Sequence, residues 1–406
     1  MNTPLVSFCI PTYNRSRYLD SLLFSLTQNL TLFPYAFEVF ISDNASTDTT
    51  AETVDAFAER LPLRYVRHES NLGSSANIQF MMAQARGRYV VYIADDDAVI
   101  GERVAEVIAM MEANPDIGIA YAPWKLLDLV ANQDLGQFYR QDRDVLIPKG
   151  QQQQLLDTLL RYSIFPEIHI CRRELVQSVM PRIYKQAYYA YVHAAEFVNH
   201  GPVLFLKDPF YVAVTDYFVD HQRTQGGTEE AETAWDRYRG GLEYVLGRAA
   251  HQITPMERVG FCLRIQELIA QRIAVAVRLR VNFDRDPVET YYLAYRLKAM
   301  GSEHLLHVDL NTLGVFAALG FLMNDPELNR DMKSLVCLGG FSPHLRAYIE
   351  RKALLPVRFV DSVAQLNGLD DQTLILARGA ITATELPDGS APRFIHENSL
   401  LDKFVT

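Results

Sequence analysis

The chain has 406 residues, of which 49% are hydrophobic and 22% are charged, and its formal net charge is −10 at pH 7. This composition is typical of a globular protein with two or three domains. The negative charge excludes a general nucleic-acid binder, because such proteins need clustered Lys and Arg to neutralise phosphates.

The first hundred residues alternate predicted strands with predicted helices. Apolar, β-branched runs predict strands at residues 5–10, 37–42, 63–67 and 87–94, and apolar residues at helical spacing separate them. This alternation predicts a mostly parallel sheet. Ligands of such sheets bind beyond the carboxyl ends of the strands.

A polar cluster accompanies each predicted strand end or the helix start after it. The clusters are Thr12 to Asn14, Asp43 to Asp48, Asn71 to Asn77 and Asp95 to Asp97. Three adjacent carboxylates repel one another and are costly to bury alone, which favours a hard divalent cation as their partner. Each cluster alone is also typical of a turn or helix cap, and their order along the chain favours one shared site.

The ordered set of motifs resembles the inverting family 2 glycosyltransferases of the GT-A fold. The motifs are Pro11-Thr12-Tyr13-Asn14, Ser42 to Asp48, Asn71-Leu72-Gly73 with Asn77, and the strand that ends in Asp95-Asp96-Asp97. The resemblance covers about residues 1–125. It implies a Rossmann-like, mostly parallel sheet domain that uses a nucleoside-diphosphate sugar.

The resemblance also implies roles for individual residues. The nucleotide sugar would contact Pro11, Thr12, Tyr13, Asn14, Asp43, Gly73, Asn77 and Asp95. Within that set, Asp43 would accept a hydrogen bond from the base and Asp95 would bind ribose. Asp96, with Asp97 beside it, would ligate Mg²⁺ or Mn²⁺. Ala94 departs from the family pattern, since many members carry an acid there.

The general base is expected on a helix predicted at residues 188–200, in the region of acceptor recognition. Family members commonly carry an acid on this helix, and this chain offers His193 and Glu196 there but no Asp; the two residues share a helix face. An unperturbed His has a pKa of about 6.5 and accepts a proton near pH 7, so His193 is the first candidate. The alternative, in which His193 binds the acceptor or packs among tyrosines, stays open.

Three domains are predicted: a GT-A sheet domain at residues 1–225, a helical module at 226–330 and a small Rossmann-like α/β unit at 331–406. A lone glycine pair in the last unit lacks the full nucleotide-binding fingerprint and favours a structural role. Arg223 lies in a polar loop at the end of the sheet domain, where its forked guanidinium suits the diphosphate. A solvated linker is the alternative for that loop.

The sequence thus predicts an inverting, metal-dependent glycosyltransferase of surface polysaccharide or lipopolysaccharide synthesis. The expected partners are a nucleoside-diphosphate sugar, with UDP favoured, and a glycan or lipid-linked glycan, but no nucleic acid. One alternative is a non-catalytic sugar-nucleotide-binding protein, for which Ala94 is the hint. The other is a nucleotidyltransferase, which needs a Gly-rich phosphate loop that residues 11–14 do not provide.

The expected compartment is the cytoplasm. The four cysteines are far apart and show neither a metal-binding spacing nor a disulfide framework. The N-terminus lacks a signal-peptide pattern, and the longest apolar run falls short of the roughly 18 residues of a membrane-spanning helix. Membrane contact would therefore be peripheral, at the inner face, and homo-oligomerisation stays open.

Overall fold

The computed structural model describes residues 3–179, 186–219, 231–387 and 392–404. The chain divides into two compact units, Met1–Gln225 with Ala234–Ile269, and Gly226–Thr233 with Ala270–Thr406. The contacts group most of the helical segment with the C-terminal sheet, and the three-domain division stays a prediction.

The first unit contains two sheets. The strands are β1 Val6–Thr12, β2 Phe37–Asp43, β3 Leu63–Arg67, β4 Tyr89–Tyr92, β5 Ala98–Val99, β6 Ile119–Tyr121, β7 Trp124–Asp128, β8 Gln133–Gln137, β9 Val145–Ile147, β10 His169–Arg172, β11 Val203–Phe205 and β12 Tyr211–Asp216. The helices are α1 Ser16–Asn29, α2 Thr50–Ala56, α3 Ser74–Gln84, α4 Gly101–Ala113, α5 Gln152–Arg161, α6 Arg173–Val179, α7 Tyr189–His200, α8 Trp235–Arg248 and the first part of α9 Pro255–Asn282.

The larger sheet has the strand order β3-β2-β1-β4-β10-β6-β11-β9. The first four neighbours are parallel, as predicted. Strand β10 then lies between β4 and β6 and runs antiparallel to both. The start of β10 therefore lies beside the carboxyl end of β4, where the acid motif begins.

The second sheet of this unit has the order β5-β12-β7-β8. Its strand β5 directly follows the acid motif in the chain and pairs antiparallel with β12. This pairing brings β12 next to the acid motif.

Burial of apolar faces explains how these elements hold together. The apolar face of α1 is fully buried and consists of Leu19, Leu22, Leu23 and Leu26. Each such side chain stabilises the folded state by about 1.5–3 kcal/mol relative to an exposed one. The polar edge of the sheet thus rests on a packed layer that holds it rigid.

A glycine sets the close approach of β4 to β1. A Cβ on Gly87 would lie 2.5 Å from the backbone nitrogen of Ser7, so no side chain fits there. The N–H of Gly87 donates to Ser7 Oγ over 2.8 Å. This contact helps to fix a register in which Val6 pairs with Tyr89, and that register carries Asp95 to the end of β1.

The second unit combines helices with a four-stranded sheet. Its helices are the remainder of α9, α10 Pro287–Ala299, α11 Leu310–Asn324, α12 Pro343–Lys352 and α13 Glu397–Leu401. Its strands are β13 Ser334–Leu338, β14 Val357–Val360, β15 Thr373–Ala377 and β16 Arg393–His396, which pair in parallel in the order β14-β13-β15-β16. The predicted fold class is confirmed: a mostly parallel sheet domain, helices and a small C-terminal α/β unit.

Among the described residues, no helix is both long enough and apolar enough to cross a bilayer.

Candidate functional site

The turns after β1 and β2 and the acid motif after β4 meet at one edge of the larger sheet. Thr12 Oγ1 donates to Asp95 Oδ2 over 2.7 Å. The backbone N–H of Asn14 donates to Ser46 Oγ over 2.8 Å, and Asn14 Oδ1 accepts from the backbone N–H of Thr47 over 2.7 Å. Three of the four predicted clusters therefore form one hydrogen-bonded surface, in which Tyr13 is exposed.

Asp43 ends β2 and is only 1% exposed. Its Oδ1 accepts from the backbone N–H of Ser46 over 2.8 Å, and its Oδ2 accepts from the hydroxyl of Tyr65 over 2.5 Å. Arg67 Nε lies 3.8 Å from the same Oδ2. The carboxylate is thus fixed in orientation, and its remaining lone pairs would be shared with any ligand.

The fourth cluster joins the same edge through amide side chains. Asn44 donates to Asn71 Oδ1 over 2.8 Å. Gly73 begins the turn into α3 with φ +82°, a conformation that side chains rarely adopt. Asn77 accepts from Ser42 Oγ over 2.6 Å and donates to Ser42 O over 3.0 Å. Asn77 therefore ties α3 to β2, a role that the sequence does not reveal.

Asp95 and Asp96 share a cation from the chain itself. Nη1 of Arg15 lies 3.3 Å from Asp95 Oδ1 and 2.6 Å from Asp96 Oδ2. Burial, followed by the charge of Asp96, raises the pKa of Asp95 to about 6, while Arg15 and Thr12 act in the opposite direction. Asp95 is thus a carboxylate that needs positive charge beside it to remain ionised near neutral pH.

Asp97 has different partners from its two neighbours. Its Oδ2 accepts from the hydroxyl of Tyr211 over 2.8 Å, and its Oδ1 accepts from the backbone N–H of Val214 over 2.9 Å. The Tyr211 hydroxyl also accepts from the backbone N–H of Ala94 over 3.0 Å. Tyr211 therefore links β12 to the acid motif at Ala94 and at Asp97, the residues on either side of Asp95 and Asp96.

Replacing Tyr211 by Phe is expected to lower the free energy of unfolding by about 1–3 kcal/mol, because it removes the hydrogen bonds that the hydroxyl makes with the Ala94 N–H and with Asp97 Oδ2. Urea denaturation would measure this change. Tyr139→Phe is the matched control, since the buried Tyr139 hydroxyl has no hydrogen-bond partner among the described residues. An equal loss of unfolding free energy in both variants would contradict a stabilising role for the hydrogen bonds of the Tyr211 hydroxyl.

The chemistry of the acid pair fits a divalent ion. No group of three or more His, Cys, Asp or Glu side chains within the described ranges would hold a metal alone. Mg²⁺ is usually bound by one or two carboxylates together with substrate phosphates, and Asp95 and Asp96 supply such oxygens. The guanidinium of Arg15 between them shows that the pair accepts positive charge.

The first base candidate lies in a buried cluster. His193 is 3% exposed on α7, with its ring 5.6 Å from that of Tyr189. His169, at the start of β10, lies 5.6 Å from the Tyr121 ring. Burial lowers the pKa of His169 to about 4, and His193 adds to this lowering. The two histidines therefore interact electrostatically.

The second base candidate binds the neighbouring helix. Glu196 accepts from the hydroxyl of Tyr244 and lies 3.9 Å from Arg248 Nε, both on α8. It also accepts from Asn199 Nδ2 over 3.5 Å. Glu196 thus links α7 to α8, although it shares a helix face with His193. Arg223, the predicted diphosphate contact, lies outside the described residues.

Two residues near the acid motif were missed by sequence reasoning besides Tyr211. Arg15 is one, although it directly follows the first predicted turn. Glu167 is the other: it precedes β10. Burial and then the charges of the three acids of the motif raise the pKa of Tyr92, and the charge of Glu167 adds a smaller effect in the same direction. Nothing in the sequence around Glu167 indicates this position, because only the pairing of β10 with β4 brings it to this edge.

Comparison with known proteins gives a consistent family. Residues 7–179 match the family model described as Glycosyl transferase family 2. The abequosyltransferase RfbV of Salmonella typhimurium is 39% identical over 115 residues, which are 28% of this chain and 34% of that protein. Validoxylamine A glucosyltransferase of Streptomyces hygroscopicus subsp. limoneus is 33% identical over 117 residues, 28% of this chain and 25% of that protein. The chain thus spans about a third or less of the length of these two curated relatives.

Among solved structures, S. aureus TarS in complex with UDP-GlcNAc aligns with a TM-score of 0.44 and 18% identity, over 73% of this chain and 89% of that chain. Mannosyltransferase PcManGT from Pyrobaculum calidifontis, in complex with GDP-Man and Mn²⁺, aligns with a TM-score of 0.41 and 15% identity, over 78% of this chain and 88% of that chain. The sequence matches, rather than these alignments, carry the similarity: residues 7–179, in the N-terminal sheet domain, match glycosyl transferase family 2.

Proposed function

We propose that this chain is an inverting, metal-dependent glycosyltransferase that moves a sugar from a nucleoside-diphosphate sugar to a hydroxyl of a glycan or glycolipid. The observation that carries the proposal is the hydrogen bond from Thr12 to Asp95, which joins the turn after β1 to the acid motif at one edge of a parallel sheet. Open parallel sheets bind ligands at this edge.

The donor would lie across the joined turns. Asp43 would accept from the base, Asp95 would bind ribose, and Pro11, Thr12, Tyr13, Asn14, Gly73 and Asn77 would surround the nucleotide. Asp96 would ligate Mg²⁺ or Mn²⁺. Asp97 is assigned to positioning rather than to direct ligation, because Tyr211 and Val214 already bind its oxygens. A UDP sugar remains the favoured donor.

Inverting transfer requires two kinds of help from the protein. The acceptor hydroxyl attacks the anomeric carbon from the side opposite the leaving diphosphate, and a base must take its proton. When bound, a divalent ion supplies Lewis-acid stabilisation of the charge that develops on the diphosphate. Asp95 and Asp96 hold the donor side, and His193 is the proposed base on the acceptor side.

The acceptor class is proposed from the relatives. Besides the abequosyltransferase, they include a poly(ribitol-phosphate) beta-N-acetylglucosaminyltransferase from Staphylococcus aureus, 32% identical over 108 residues. The second name specifies a polymer as acceptor, and this supports a polymeric acceptor such as a glycan for this chain. A role in surface polysaccharide or lipopolysaccharide synthesis follows as part of the proposal.

A nucleotide panel tests the proposed function. The full chain would be titrated with UDP, GDP, CDP and dTDP by calorimetry, with and without Mn²⁺, and the matching nucleotide sugars would be assayed for hydrolysis. We expect Mn²⁺-dependent binding of one nucleotide and slow hydrolysis of its sugar. Binding without hydrolysis or transfer would favour a non-catalytic binding protein, and absence of binding to every nucleotide would overturn the proposal.

Replacing Asp43 by Ala is expected to weaken nucleotide binding by about 1–3 kcal/mol, the cost of leaving a buried hydrogen-bond donor without its partner. Calorimetry with the nucleotide identified above measures this change. Tyr65→Phe is the control, because it removes one hydrogen bond to the carboxylate and leaves Asp43 in place. If only Tyr65→Phe weakened binding, Asp43 would not be a base contact.

A further inference from the structure

Arg15 directly precedes α1, and its backbone is anchored there. Its carbonyl accepts from the N–H of Tyr18 over 3.0 Å and from the N–H of Leu19 over 2.9 Å. The side chain extends from this fixed point across the end of the sheet to Asp95 and Asp96. The guanidinium therefore reaches the acid pair from a backbone position that two hydrogen bonds hold in place.

Burial differs among the three partners. The side chains of Asp95 and Asp96 are 8% and 13% exposed, whereas that of Arg15 is 33% exposed. Only Nη1 of the guanidinium binds the two carboxylates, and Nε and Nη2 donate no hydrogen bond within the part of the chain that the structure describes. Arg15 can therefore move outward at modest cost, while the two acids stay in place.

The charges at the site also favour an outward movement of Arg15 when the ligands bind. Two carboxylates that lie close together need positive charge, and Arg15 supplies one unit of it in the protein without ligand. A divalent ion ligated by Asp96 would supply two units beside the same pair, and a diphosphate brings negative charge next to the ion. The guanidinium fork suits phosphate oxygens, which it binds through two parallel hydrogen bonds.

We propose that Arg15 occupies the cation position beside Asp95 and Asp96 until the donor arrives, and then turns outward to bind the diphosphate. This inference rests on the proposed function. Arg15 competes with a free divalent ion for the acid pair, and it gains a new partner only when the diphosphate is present. The affinity of the chain for the ion is therefore low without nucleotide and high with it. By linkage, the ion raises the affinity for the nucleotide by the same factor.

Mn²⁺ binding to the full chain tests this role without any activity assay. Free Mn²⁺ would be followed by electron paramagnetic resonance in titrations of wild type, Arg15→Gln, Arg15→Lys and the control Arg88→Gln, each with and without UDP, GDP, CDP or dTDP. Arg88 pairs with Glu112, so its replacement makes the same charge change at another salt bridge.

We expect Arg15→Gln to bind Mn²⁺ alone more tightly than wild type by about 5- to 150-fold, the usual range of coupling between two ligands, and to lose most of the nucleotide effect. Arg15→Lys keeps the charge but not the fork, so it should retain weak binding of Mn²⁺ alone and show reduced coupling. Arg88→Gln should match wild type.

Unchanged or weaker binding of Mn²⁺ alone by Arg15→Gln, in protein whose circular dichroism is native, would overturn the proposal. If Arg15→Gln does not fold, Arg15→Lys provides the test. Coupling between Mn²⁺ and nucleotide equal to that of wild type in this variant would overturn the proposed movement of Arg15 to the diphosphate. If no nucleotide binds to any variant, the proposed function fails, while the comparison of Mn²⁺ alone still shows whether Arg15 occupies the cation position.

Discussion

Replacing Asp96 by Asn is expected to abolish metal-dependent nucleotide binding while the protein stays folded. Loss of even an indirect partner of a metal commonly costs about 10- to 100-fold in affinity, so loss of a direct carboxylate ligand should cost more than about 100-fold. The fold should tolerate the change, because it removes a partly exposed ion pair with Arg15 and relieves repulsion with Asp95. Calorimetry with Mn²⁺ and the preferred nucleotide measures the loss.

Asp97→Asn is the matched control within the same motif. An Asn side chain keeps an oxygen that can accept from Tyr211 or Val214, so this variant should lose some stability and keep metal-dependent binding. If Asp97→Asn lost metal dependence and Asp96→Asn kept it, the two roles would be exchanged. Comparable loss in both would mean that Asp97 ligates the ion directly.

The parts of this site that the sequence predicts are local. Strands that end in polar turns are a pattern of adjacent residues, and parallel pairing then brings Thr12, Asp43 and Asp95 to one edge. The buried leucines of α1 follow equally from helical spacing. The C-terminal unit was predicted for the same reason, since strands and helices alternate along its sequence.

The parts that the sequence does not predict depend on distant pairing. Tyr211 and Asp97 are 114 residues apart, and Arg15 and Asp96 are 81 residues apart. No periodicity encodes such contacts, because they arise from how the second sheet and the first turn pack against the acid motif. The antiparallel insertion of β10, which brings Glu167 to the site, is of the same kind. The family resemblance predicts that Asn77 contacts the nucleotide, and its hydrogen bonds to Ser42 cannot be foreseen from the sequence because they depend on the packing of α3.

Replacing His193 by Ala is expected to lower kcat by about 100-fold or more, with little change in nucleotide affinity, because a positioned base contributes about 10²- to 10⁴-fold to the rate. The rate of wild type should rise with pH, since only the neutral imidazole accepts a proton. Both quantities come from transfer or hydrolysis of the donor sugar that the panel identifies. Glu196→Gln is the control, because its carboxylate binds Tyr244 and Arg248 and should contribute to stability rather than to kcat.

Glu167 is the alternative candidate for the general base, and the same experiment tests it. It is half-buried two residues before β10, and its charge adds to burial and to Asp95, Asp97 and Asp96 in raising the pKa of Tyr92. His193 instead lies against Tyr189 and influences the buried His169. If His193→Ala keeps its kcat and Glu167→Gln loses it at unchanged nucleotide affinity, the base is the carboxylate beside the acid motif. His193 would then act on the acceptor, and a rise in acceptor KM alone would identify that role.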